Sequence, residues 1–139
     1  MSAHPSTLYS ETVLAHNRAP QHCGCLADAT HRGVAENALC GDQLELTLRL
    51  RGDVIEAAMF DGESCAITTA CASMLTAALH GATCARVGEL RSAMAAMFRG
   101  DATAPGEFAA FAELRHHPAR QRCALLPFDA ALSALQPKE

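Results

Sequence analysis

Cys40-Gly41-Asp42 joins a thiol to a carboxylate through a single glycine, and two further cysteines, Cys65 and Cys123, recur later in the chain. Thiolates and carboxylates are ligands for Zn²⁺, at about 2.3 Å from sulfur and about 2.0 Å from oxygen, so donors on one tetrahedral ion lie about 3.5 Å apart. Side chains two apart on an extended segment point the same way, and Gly41 lets the backbone bend to bring its neighbours together. A carboxylate is a harder ligand than a thiolate and is the more easily displaced. A site that includes Asp42 is therefore suited to releasing a ligand, which frees a thiolate or hands on a metal. Such a site stays negative around one Zn²⁺, and Arg122, Arg120 and a helix N-terminus at Cys65 are the groups able to offset the charge.

These residues cooperate only if the fold gathers them. Gln43 to Arg51 reads QLELTLRLR, with leucines at 44, 46, 48 and 50 alternating against polar residues, which predicts a half-buried strand. Gly52-Asp53 is a two-residue hairpin turn, and Val54 to Phe60 the return strand. The return strand is apolar on both faces and is expected to be central. Residues near His31 to Glu36 are expected to add a third, edge strand. Antiparallel pairing sets the start of the first hairpin strand beside the end of the second, so Cys40, Asp42 and Cys65 should meet at one end of the hairpin.

Cys65 also opens the strongest helical pattern, Ile67, Ala70, Cys71, Met74, Leu75, Ala78 and Leu79, stopped by Gly81. An earlier helix carries Leu8, Tyr9, Val13 and Leu14 and ends near Arg18, before Pro20. Val87, Leu90, Met94, Met97 and Phe98 predict another, closed by Gly100, and Asp101 to Gly106 a loop. Phe108, Phe111 and Leu114 suggest a short helix. Pro118 opens the next at the tolerated first-turn position, and Pro127 is expected to interrupt it before a last helix through Phe128, Ala131, Leu132 and Leu135. The helix containing Cys123 must pack back on the sheet, which makes Cys123 the best candidate for a fourth ligand. The expected fold is α+β: an N-terminal helix, a small three-stranded antiparallel sheet and C-terminal helices packed on one face, in a single domain over residues 1–139.

Composition narrows the function. With one Tyr, five Phe and no Trp, the core must rest on Ala, Leu, Val and Met. A net charge of −4 argues against nucleic-acid binding, which needs a basic stripe. No apolar run reaches the ~18–20 residues needed to span a bilayer. MSAHPSTLYSETV lacks the layout of a secretory signal, and seven cysteines in a chain that needs no staples read as reduced thiols in the cytoplasm.

ETVLAHNRAP, LCGDQLELTLRL, FDGESCAITTACASML and HPARQRCALL, in that order, resemble the U-type iron–sulfur assembly proteins, the family of IscU, SufU and the NifU N-terminal domain. The likeness runs from about Leu8 to Leu135. The family's three cysteines fall on Cys40, Cys65 and Cys123, and its aspartate on Asp42. IscU proteins carry His before the third cysteine, where this chain has Arg122, and an LPPVK chaperone-recognition stretch where it has HPARQ, so that chaperone is not an expected partner. The length through Gly100 to His117 and the HPARxxC pattern are similar to SufU. Ser64 stands where the family usually has Gly, and would be strained if that position were left-handed.

The SufU-like branch implies iron–sulfur cluster biosynthesis by a zinc-bound sulfur carrier. A SufS-like cysteine desulfurase would dock, exchange a ligand with the zinc and free Cys40 to take persulfide sulfur for recipient apoproteins or later assembly factors. The protein would then be sulfurtransferase-like at most. Cys123 is the competing acceptor, because related scaffolds use the third cysteine. The alternative implied is a scaffold on which a [2Fe–2S] or [4Fe–4S] cluster forms on the same residues before transfer; a third class is a zinc-stabilised interaction module. Cys71, within an apolar stripe, and Cys84, at a helix start, read as ordinary thiols. Cys23 and Cys25 form a Cys-x-Cys pair outside the family motif with no second pair nearby, and His116-His117 reads as the solvated start of a helix.

Overall fold

The computed structural model describes residues 10–136. Helix α1 (Glu11–Arg18) leads into strands β1 (His31–Asn37), β2 (Asp42–Arg51) and β3 (Val54–Glu63), then helices α2 (Ala66–Leu79) and α3 (Ala85–Phe98), a 3₁₀ helix (Gly106–His116) and α4 (Pro118–Leu135). The strands form one antiparallel sheet in the order β1-β2-β3. This is the expected α+β architecture. Leu8 and Tyr9 of the expected first helix lie outside the described residues; α1 is capped by the Ser10 hydroxyl, which accepts from the Val13 N–H.

Period-two alternation in β2 buries Leu44, Leu46 and Leu48 on the face that receives α4 and α2. The sheet register places Leu46 opposite Phe60 and Leu48 opposite Ala58 on that face. Gly33 of β1 is required there: a Cβ would collide with the backbone of α4 at Ala130 and Ala134. Helix α2 is buried nearly all round, with Ile67, Cys71, Leu75 and Leu79 fully enclosed, and Met74, Met94 and Met97 are core as expected. His16 ties α1 to its neighbours, meeting Ser73 Oγ at 2.7 Å through Nδ1 and donating through Nε2 to Glu107 at 2.8 Å.

Two expectations are corrected. The central strand is β2, not the return strand. β3 nevertheless reads as interior because its outer edge is covered at both ends. The Gly24 N–H donates to the Phe60 carbonyl and the Phe60 N–H to that of His22, while the Ile55 N–H donates to the carbonyl of Ala82. Nor does Pro127 end its helix, since α4 runs unbroken from Pro118 to Leu135. A proline lacks the N–H that would bond the carbonyl four residues back, here that of Cys123, and loosens the next. Helix α2 supplies both missing donors: Thr68 Oγ1 donates to the Cys123 carbonyl at 3.0 Å and Cys71 Sγ to that of Ala124 at 3.1 Å. Ser64 escapes the strain considered for it, because His22 is the only non-glycine with positive φ among the described residues.

Candidate metal centre

The four sequence candidates come from four places in the fold. β1 and β2 are joined by Ala38 to Gly41, and the N–H groups of Cys40 and Gly41 both donate to the Asn37 carbonyl. Gly41 takes φ +74°, so the loop closes and delivers Cys40 and Asp42 to the same end of the sheet. Asp42 is the first residue of β2 rather than part of the loop, and it lies in phase with Leu44, Leu46 and Leu48. The alternation that buries the leucines therefore buries its carboxylate, which is 4% exposed. Past the last β3 pair, Gln43 with Glu63, Cys65 caps the N-terminus of α2. Cys123 enters from α4 and is fully buried.

These elements bring the reactive atoms together. Cys40 Sγ lies 3.5 Å from Cys123 Sγ, and one ligand atom from each of Cys40, Asp42 and Cys123 falls within 4.8 Å of the others. The sulfur spacing is within a few tenths of an ångström of that between donors on one tetrahedral Zn²⁺. Cys65 stands beside this trio rather than within it. Its thiol meets Thr68 Oγ1 at 3.4 Å, while its backbone N–H donates to Asp42 Oδ1 at 3.0 Å. A buried carboxylate without partners is costly; here the second oxygen, Oδ2, accepts from Thr68 Oγ1 at 2.8 Å.

Electrostatics separate the thiols. Burial pushes the Cys123 thiol well above its ordinary range, and the hydrogen bond with Cys40 and the neighbouring Cys65 push it further. Cys40 sits in the opposite surroundings, exposed on its loop, with Asn37 Nδ2 donating to its sulfur at 3.5 Å. Beside it Leu39 is 74% exposed, and a cleft of about 390 Å³ runs between Leu39 and Leu125 with Arg91, Arg122 and Asp129 on its walls. Arg122 makes no ion pair among the described residues and bonds neither Asp42 oxygen. The two positions on the carboxylate are taken by Thr68 and the start of α2, so of the groups expected to offset the site charge it is the helix N-terminus that reaches it.

The remaining candidates stay outside the cluster. Cys71 is enclosed in the core, where burial raises its thiol strongly. Cys84 precedes α3, and Cys25 is held against Glu45 at 3.5 Å, its thiol raised by desolvation and by the carboxylates of Glu45 and Asp61. His116 accepts from Arg115 on the surface. Asn37 and Thr68 are the site residues that sequence reasoning missed. A hydroxyl three positions after Cys65, one helical turn into α2, was the signal available for Thr68.

Residues 8–134 match the family described as NifU-like N terminal domain. The chain is 33% identical over 133 residues to a zinc-dependent sulfurtransferase SufU from Bacillus subtilis (strain 168), covering 93% of this chain and 90% of that protein. It is 28% identical over 132 residues to an iron–sulfur cluster assembly scaffold protein IscU from Thermotoga maritima, covering 93% of each. The crystal structure of a nitrogen-fixing NifU-like protein (N-terminal) from Brucella abortus superposes with a TM-score of 0.85 at 27% identity, over 93% of this chain and 92% of that one. No helix among the described residues is long and apolar enough to cross a membrane. Both the sequence match along the chain and the shared fold make this protein a member of the NifU-like N-terminal domain family, to which the IscU and SufU proteins belong.

Proposed function

We infer that the protein is a sulfur acceptor in iron–sulfur cluster assembly, taking persulfide sulfur from a SufS-like cysteine desulfurase and passing it to apoproteins or later assembly factors. The observation that carries this reading is the pairing of an exposed Cys40 with a buried Cys123 at 3.5 Å beside a carboxylate. Similarity to a zinc-dependent sulfurtransferase supports Zn²⁺ as the resident metal, held by Cys40, Asp42, Cys65 and Cys123. The donor set fits such an ion: soft thiols, one harder oxygen, and a spacing suited to a tetrahedron. Bound Zn²⁺ would keep its cysteines as thiolates at neutral pH.

Cys40 is the acceptor because it alone of the trio is reachable from solvent. Its thiolate attacks the outer sulfur of the donor persulfide. A new S–S bond forms on Cys40, the donor's S–S bond breaks, and the donor cysteine leaves as thiolate, so no external oxidant or reductant is consumed. Asn37 holds the acceptor sulfur in place, and the exposed Leu39 and the cleft beside it give the donor enzyme a surface to approach. Chemistry that runs on reduced thiols supports a cytoplasmic location.

Desulfurase turnover and ³⁵S transfer test the proposal. Cys40→Ala is expected to reduce both to the level seen without this protein while leaving the fold intact; undiminished stimulation would overturn the reading. Similarity to an IscU scaffold supports a second reading in which a cluster is assembled on the same residues. Anaerobic incubation with iron and sulfide separates the two: a brown, transferable cluster favours the scaffold, persistent stoichiometric zinc the carrier.

A further inference from the structure

Three of the four proposed ligands converge on one side chain that is not itself a ligand. Thr68 is completely buried on the first turn of α2. Its Oγ1 lies 2.8 Å from Asp42 Oδ2, 3.0 Å from the carbonyl of Cys123 and 3.4 Å from Cys65 Sγ. A hydroxyl has one proton to give and two lone pairs to accept with. Two oxygen acceptors therefore share a single donor, and the Cys65 thiol faces the same oxygen from a third direction. One of those acceptors needs this hydroxyl for a reason written in the sequence: Pro127 denies the Cys123 carbonyl its helical N–H. With the Cys65 N–H on Oδ1, the Asp42 carboxylate is gripped at both oxygens and cannot rotate about its own axis without losing a bond.

We propose that Thr68 is a positioning residue for the metal centre, its buried hydroxyl fixing the Asp42 carboxylate against the turn of α4 that carries Cys123. The proposal rests on the metal reading above and goes beyond it by assigning the ligand geometry to a residue that touches no metal. Its physical content is preorganisation. Partners that orient a ligand spare the ion the cost of ordering it, and removing one typically lowers metal affinity about 10–100-fold. Cys40 lies outside this grip, its sulfur contacting Asn37 and the Cys123 thiol but not Thr68, so Thr68 holds the three ligands that stay while the acceptor remains free to leave.

Zinc release to a chromogenic chelator provides the test, with Thr68→Val (isosteric, no hydroxyl) and Thr68→Ser compared with the unaltered protein. Thr68→Val is expected to release zinc about tenfold faster or more, and to alter the visible spectrum of the Co²⁺-loaded form. Thr68→Ser, which restores the hydroxyl, is expected to recover both. Release from a folded Thr68→Val at the unaltered rate would overturn the proposal. Where Thr68→Val does not fold, the pair is compared in a Pro127→Ala background, in which the Cys123 carbonyl regains an N–H partner and the hydroxyl's contacts with the ligands Asp42 and Cys65 distinguish valine from serine; equal release there also overturns it. Unaltered protein that fails to hold zinc at one ion per chain would instead remove the metal reading itself, and this inference with it.

Discussion

Cys40 and Cys123 hold sulfur atoms 3.5 Å apart yet belong to opposite kinds of structure. The first sits on a four-residue hairpin loop, exposed, its sulfur touched by one amide from Asn37. The second is enclosed on α4, where its own carbonyl, denied a helical N–H by Pro127, is stapled to α2 by Thr68. One half of the site is thus built to be approached and the other to stay put. A sulfur carrier needs both, because an acceptor thiol must reach a partner while the remaining donors keep the site assembled.

The largest expected difference between the two halves is in reactivity. In metal-free protein at neutral pH, iodoacetamide should modify Cys40 roughly 100-fold faster or more than Cys123, because alkylation requires both access and thiolate, and Cys123 lacks each. Peptide mapping by mass spectrometry reads this directly; comparable rates at the two sites would dissolve the distinction.

Alkaline pH probes the enclosed thiols. Cys71 and Cys123 keep their protons in the folded protein well above the ordinary thiol value of 9.0. The unfolded chain loses those protons there, so the stability these groups contribute is complete below that value and falls as pH rises. Each of these thiols steepens the fall of unfolding free energy with pH beyond it. Urea unfolding of the metal-free protein between pH 8 and about 10.5 is the measurement, and Cys71→Ala should make the slope shallower. An unchanged slope in that variant would show that the enclosed thiols are not its source.

The smallest expected effect belongs to the loop half. Gly41→Ala places a Cβ where nothing lies within 4 Å, so its cost is that of a left-handed backbone alone, about 1–2 kcal/mol. The loss should appear in both denaturant unfolding and acceptor activity, since the same turn aims Cys40. A neutral Gly41→Ala would mean that the loop reaches the site by another conformation.

Much of this was legible in the chain. The QLELTLRLR alternation with Gly52-Asp53 marked the hairpin, and hence the meeting of Cys40, Asp42 and Cys65 at one end, while the bulge between Arg49 and Leu50 that shifts its register left no such mark. Pro127 was misleading because a helix breaker is judged locally, whereas its effect here depends on a hydroxyl and a thiol on another helix. β3 misled in the same way: cover on its outer edge comes from residues 22–24 and 81–84, and apolarity reports burial without saying what provides it.

By itself the sequence determined which residues could be ligands and which end of the sheet they share, because period and turn chemistry are local and act before any packing. Only the tertiary structure decided that Cys40 would be reachable and Cys123 buried, and that Thr68 would join Asp42 to the α4 turn. Exposure and shared hydrogen bonds are properties of surfaces brought together, and no single stretch of chain contains them.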